Sequence, residues 1–140
     1  MTTYAYKDGI MACDSRVTRG QYIDDDDCCK RIVVQGVHFY CTGTEKSQSA
    51  IIAYWFGGEC EEEDIDGEAF VFDGDLWEIA VDGDKIHKMS VDKDKHYALG
   101  SGSPYAITAM DLGCSAVEAV KMAGKRDTCT GGKIRKFKVR

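Results

Sequence analysis

The chain has 140 residues, 44% of them hydrophobic and 30% charged, which is the usage of one globular domain and not of a disordered segment. A formal net charge of -6 and the lack of any basic stripe argue against nucleic-acid binding; the basic run Lys133 to Arg140 reads as a solvated terminal strand. The longest apolar stretch, Ala50 to Phe56, is far too short to cross a bilayer.

In chain order, Tyr4-Ala5-Tyr6, a turn at Lys7-Asp8-Gly9, and Ile10-Met11-Ala12 predict a β-hairpin that would pin the start of the chain in a sheet. A polar stretch follows and ends in four adjacent carboxylates, Asp24 to Asp27, which reads as a solvated loop because like charges repel. Strands are expected over Arg31 to Val34 and Val37 to Cys41, around a Gln35-Gly36 turn. Gly43-Thr44 opens a helix from Glu45 to Phe56 that Gly57-Gly58 stops. Glu61 to Asp66 reads as a second solvated acidic loop.

Short strands are expected over Ala69 to Phe72, Leu76 to Val81, Lys85 to Met89 and about His96 to Leu99. Asp73-Gly74-Asp75 and Asp82-Gly83-Asp84 supply the first two turns. Ser103-Pro104 predicts a serine-capped helix closed by Gly113. Ser115 with Glu118 forms a capping box for another, ended by Gly124, with Ala116, Ala119, Val120 and Ala123 on one face. A last strand covers Lys133 to Val139. Strands dominate and the helices come in blocks, which predicts an α+β fold of two antiparallel sheets with helices packed outside, as a single domain over 1–140.

The seven cysteines are odd in number, show no CxxC spacing, and follow no secretory signal peptide, so they are expected to be reduced thiols in the cytoplasm. Glu62, Asp64, Asp66, Gly67 and Asp73 roughly follow a calcium-loop spacing, but the Phe70-Val71-Phe72 run reads as a strand where an EF-hand needs a helix. His38, His87 and His96 have no zinc-ligand spacing with the cysteines, and no GxxxxGK[ST] is present. No metal or other cofactor is expected, and the chain carries no ATPase motif of its own.

Thr2 would become the first residue if Met1 were removed, as it commonly is ahead of a small side chain. One residue would then carry a hydroxyl and a free α-amine, which titrates near about 7.7–8.0 and can serve as a base at neutral pH. Alone this is weak, since Met-Thr starts are common. Further along lie Ala12-Cys13-Asp14-Ser15-Arg16, Lys30-Arg31-Ile32, Cys41-Thr42-Gly43-Thr44, Gly100-Ser101-Gly102-Ser103-Pro104-Tyr105-Ala106, Ser115-Ala116-Val117-Glu118-Ala119-Val120 and Arg126-Asp127-Thr128-Cys129-Thr130-Gly131-Gly132. With Thr2-Thr3 these segments, in this order, resemble bacterial HslV and proteasome β subunits, the threonine class of N-terminal-nucleophile (Ntn) hydrolases. The last three segments together are the specific ones, and the resemblance covers nearly the whole chain.

That resemblance implies a four-layer αββα sandwich of two antiparallel sheets, with one helix layer reduced because the usual second helix of that layer is missing after the first. It also implies roles. Thr2 attacks a carbonyl; Lys30 lowers the pKa of the Thr2 amine and hydroxyl; Asp14 pairs with and orients Lys30. The Gly43 N–H donates to the oxyanion, Ser101, Asp127 and Thr130 hold the amine's proton network, and Cys41 lines the substrate pocket. The partners implied are a protein or peptide substrate, copies of the chain in an oligomer, and a separate ATP-dependent unfoldase. Without the resemblance, Asp14 and Lys30 read as a surface ion pair, Ser101 and Asp127 as turn chemistry, and Gly43 as a helix entry. Two other functions stay open on the sequence: an inactive relative that binds protein or modulates a host, viral in origin on the ground of its small size, and a free-standing amidase for small amides.

Overall fold

A computed structural model describes residues 2–58, 65–83 and 85–139, with only the main chain for Ile65, Asp82 and Gly83. Contacts divide the chain into two units, 1–30 with 92–140, and 31–91.

In the first unit, β1 (Thr3–Lys7) and β2 (Ile10–Cys13) form the expected hairpin, with Tyr4 opposite Cys13 and Lys7 opposite Ile10. Asp8 and Gly9 both take positive φ, 52° and 76°, the backbone that lets a tight turn follow the right-handed strand twist. β10 (Tyr97–Gly100) and β11 (Arg135–Lys138) flank the hairpin in a four-stranded sheet ordered β10-β1-β2-β11, every pair antiparallel. The first and last described strands are thereby both paired within one sheet.

Two helices pack on this sheet, α2 (Ser103–Asp111) and α3 (Ala116–Gly124). Ala106, Ala109, Met110, Ala116, Ala119, Val120 and Ala123 meet Ala5 and Ala12 in a core rich in alanine, which lets helix and sheet backbones approach closely. The α3 capping box is present as expected: Ser115 accepts from the Glu118 N–H and Glu118 accepts from the Ser115 N–H. The start of α2 differs from expectation. Its cap is Gly102, with no side-chain cap, and Ser103 is already helical.

The acidic stretch is also built differently from the expected loop. β3 (Val17–Arg19) and β4 (Tyr22–Asp25) form a second hairpin around Gly20. Asp26 and Asp27 then carry ion pairs: Arg16 Nε to Asp26 at 2.9 Å and Arg135 Nη2 to Asp27 at 2.7 Å. Two of the four carboxylates thus tether the chain, which offsets their mutual repulsion.

In the second unit, β5 (Arg31–Val34), β6 (Val37–Cys41), β7 (Ile65–Phe72), β8 (Leu76–Gly83) and β9 (Lys85–Ser90) form an antiparallel meander in chain order. β7 starts at Ile65, before the Ala69 expected, because its pairing with β8 runs from Phe72–Leu76 back to Ile65–Gly83 and carries Asp66 and Glu68 into the ladder. Glu62 and Asp64 of the calcium-like spacing lie outside the described residues, whereas Asp66 and Gly67 are in β7 and Asp73 in the turn after it. There Asp73 accepts from Asp75 N and Trp77 Nε1. α1 (Glu45–Trp55), capped by Thr44, covers a core of Phe39, Cys41, Ile51, Ala69, Val71 and Ile79. Each unit is therefore an antiparallel sheet with helices on it, two in the first and one among the described residues of the second, which is the expected α+β class.

Candidate active site

The site grows from the start of β1. Thr3 is fully buried and enters two hydrogen-bond systems. Its main chain joins the first: the Thr3 N–H donates to Asp14 Oδ1 at 3.1 Å, and the Asp14 N–H donates back to the Thr3 carbonyl at 3.3 Å. The ladder fixes this pairing, since Tyr4 lies opposite Cys13 and the next step outward brings Thr3 to Asp14.

Asp14 has no exposed surface, yet its carboxylate is fully engaged. Oδ1 also accepts from Lys30 Nζ at 2.9 Å, and Oδ2 accepts from the Arg16 and Gly131 N–H groups at 3.3 and 3.1 Å. Lys30 retains 9% of its side-chain exposure. The pair is thus a buried, geometrically over-determined one and not the surface ion pair expected without the resemblance.

The second system centres on Asp127, in the turn after α3. Ser101 Oγ and Thr130 Oγ1 both donate to Asp127 Oδ2, at 2.5 and 2.6 Å, and the Cys129 N–H donates to Oδ1 at 3.1 Å. Burial raises the pKa of this carboxyl, but the bonds from Ser101, Thr130 and Cys129 outweigh it and hold the value below the usual carboxylate range. Thr3 Oγ1 lies 2.7 Å from Thr130 Oγ1, and the Gly102 N–H donates to Thr3 Oγ1 at 3.0 Å. The Ser101 N–H, in turn, donates to the Thr2 carbonyl at 3.0 Å.

The structure therefore brings Asp14, Lys30, Ser101, Asp127 and Thr130 to the Thr2–Thr3 segment. Gly43 and Cys41 belong to the second unit. Gly43, at φ 91°, turns β6 into the α1 cap, and a Cβ there would overlap the Asp66 carbonyl. Cys41 is buried at the end of β6, and burial pushes its thiol up to about 12.

Thr3 and Arg16 were not singled out from the sequence. Arg16 accompanies Asp14 in a quoted segment, and its guanidinium binds Asp26 and the Thr128 carbonyl, the latter at 3.3 Å. It lies where a Cβ on Gly131 would fall, which explains a glycine there. For Thr3, the available signal was a polar residue in a strand whose neighbours are apolar.

Among the described residues no group of His, Cys, Asp or Glu could hold a metal ion. No described helix is long and apolar enough to cross a membrane. The described cysteines are free thiols, and Cys60 lies outside them.

The antiparallel α+β fold is HslV-like. Solved structures carry the same fold over nearly the full chain. Eukaryotic HslV from Trypanosoma brucei superposes with a TM-score of 0.69 at 16% identity, covering 97% of both chains. Thiobacillus denitrificans BPH in complex with epoxomicin superposes with a TM-score of 0.65 at 19% identity, covering 99% of this chain and 98% of that one. BPH alone gives 0.64 at 20% identity. No protein-family profile and no curated protein matches the sequence. The resemblance read from the motifs is borne out as a shared fold.

Proposed function

We propose that the chain is a threonine-type Ntn peptidase, working as one domain over 1–140. The observation that carries this reading is the convergence of two carboxylate networks, Asp14–Lys30 and Asp127–Ser101–Thr130, on the main chain of Thr2 and Thr3.

Removal of Met1 frees the Thr2 α-amine. That amine takes the proton of Thr2 Oγ1 as the oxygen attacks the substrate carbonyl carbon. The Lys30 ammonium, held by Asp14, favours the deprotonated amine and the developing alkoxide. The tetrahedral intermediate collapses by breaking the C–N bond, and the leaving amine takes the proton from the α-ammonium. Water then attacks the Thr2 ester, giving its proton to the amine, and the acid product leaves with the threonine restored. Ser101 donates its own proton to Asp127, so its oxygen lone pairs are left to accept from the amine. The roles that resemblance implies for Gly43 and Cys41, oxyanion donor and pocket residue, stay part of the proposal.

The substrate would be a protein or peptide, the working form an oligomer in the cytoplasm, and a separate ATP-dependent unfoldase would deliver folded substrates. The test uses Met1-free protein, verified by intact mass, incubated with epoxomicin and with fluorogenic peptide amides. A covalent adduct and turnover are expected, both lost in Thr2→Ala. A correctly processed, folded chain that gives neither would end the peptidase reading and leave a binding protein on this fold.

A further inference from the structure

We propose that Thr3 is a positioning residue whose hydroxyl fixes the direction of the proton network that sets Asp127 and Ser101. This deepens the peptidase reading and rests on it for its catalytic consequence.

The direction follows from counting protons. Asp127 Oδ2 accepts from Ser101 and Thr130, and the depressed pKa of the carboxyl keeps it ionised and without a proton to give. The single hydroxyl proton of Thr130 is therefore committed to Asp127. Thr3 and Thr130 approach to 2.7 Å, so the proton between them must come from Thr3. Thr3 Oγ1 in turn accepts from the Gly102 N–H at 3.0 Å. The chain runs one way, from Gly102 through Thr3 and Thr130 to Asp127.

Each link is short and shielded. Thr3 is 0% exposed and Thr130 1%, so water does not compete, and aligned bonds in series polarise one another. Gly102 has no room for a side chain: a Cβ would overlap Thr3 Oγ1 and stand 3.0 Å from Thr130 Oγ1. Thr3 is also tied by its N–H to Asp14 Oδ1, the oxygen that holds Lys30. It is thus the residue next to the nucleophile that touches both carboxylate networks. Without its hydroxyl, Thr130 loses the donor behind it and gives its own proton to Asp127 more weakly, and the Gly102 N–H is stranded.

The test compares Thr3→Val, which keeps shape and removes the hydroxyl, with Thr3→Ser, which keeps the hydroxyl. In Met1-free protein, the Asp127 carboxyl is titrated by carbon NMR and peptide-amide hydrolysis is followed from pH 5 to 9. Thr3→Val should raise the Asp127 pKa, move the acid limb of the rate profile to higher pH, and lower kcat about tenfold with KM little changed, the scale of one hydrogen bond. Thr3→Ser should restore both readouts. A folded Thr3→Val with unchanged titration and rate, or a Thr3→Ser as impaired as Thr3→Val, would overturn the proposal. If the parent titrates as expected but hydrolyses nothing, the peptidase reading fails while the network is still decided by the titration. If Thr3→Val does not fold, the parent decides: a slowly exchanging Thr3 hydroxyl proton in contact with Thr130 supports the proposal, and a rapidly exchanging one overturns it.

Discussion

The carbonyl oxygen of Thr2 occupies the space that a Cβ on Gly100 would need. Gly100 also sits at φ 99°, a conformation costly for any other residue. The next residue, Ser101, donates its N–H to that same carbonyl. Gly100→Ala should therefore destabilise the protein by at least about 2 kcal/mol and shift Thr2, the proposed nucleophile. A fall in Tm together with loss of epoxomicin labelling would be the signature; a labelled, equally stable variant would mean the main chain can yield here.

The Asp14–Lys30 pair is buried, and removing Asp14 takes from the Lys30 ammonium the carboxylate it donates to at 2.9 Å. Asp14→Ala should cost about 3–5 kcal/mol in urea denaturation. Adding Lys30→Met to Asp14→Ala should recover part of that loss, because the double variant no longer holds a largely buried ammonium that has lost its carboxylate. Strict additivity of the two substitutions would contradict direct coupling.

Asp127 gives a pH dependence whose sign follows from its depressed pKa, set by hydrogen bonds that outweigh the opposing effect of burial. Its contribution to stability is complete above the unfolded-state value of about 3.9 and is lost as pH falls through the lower folded-state value. Asp127→Asn should be less stable than the parent at pH 7, with the difference narrowing below about pH 4. Urea midpoints measured from pH 7 to pH 2 would show this; parallel curves over the whole range would exclude it.

Arg16 joins the end of the β3–β4 hairpin, through Asp26, to the turn that holds Asp127, through the Thr128 carbonyl. A lysine cannot make this planar, forked contact. Arg16→Lys should speed amide hydrogen exchange at Lys133, whose N–H donates to the Asp26 carbonyl, and in β3 and β4, while leaving α2 and α3 protected. Uniform loss of protection would instead indicate global destabilisation.

Much of this fold was legible in the residues. The β1–β2 hairpin, the Gln35-Gly36 turn, α1 between Thr44 and Gly57, and the α3 capping box all rest on local chemistry: positive-φ residues at turns, side-chain oxygens at helix starts, apolar periodicity between them. The β3–β4 hairpin was not legible. Its strand Tyr22–Asp25 is exposed throughout and carries repelling carboxylates, and its tethers, Arg16 and Arg135, come from elsewhere in the chain.

By itself, then, the sequence determined most of the elements and their order, because turns, caps and patterning act within short windows, and it pointed to candidate site residues through the motifs that resemble a known family. Only the tertiary structure decided that Asp14 and Lys30 meet in the interior, that Arg16 bridges two loops, and that Thr3 stands between the two carboxylates. Those relations join residues up to 127 positions apart. They are fixed by strand register and by burial, which forces every polar group in the site to find its partner, and neither is written in any local stretch of the chain.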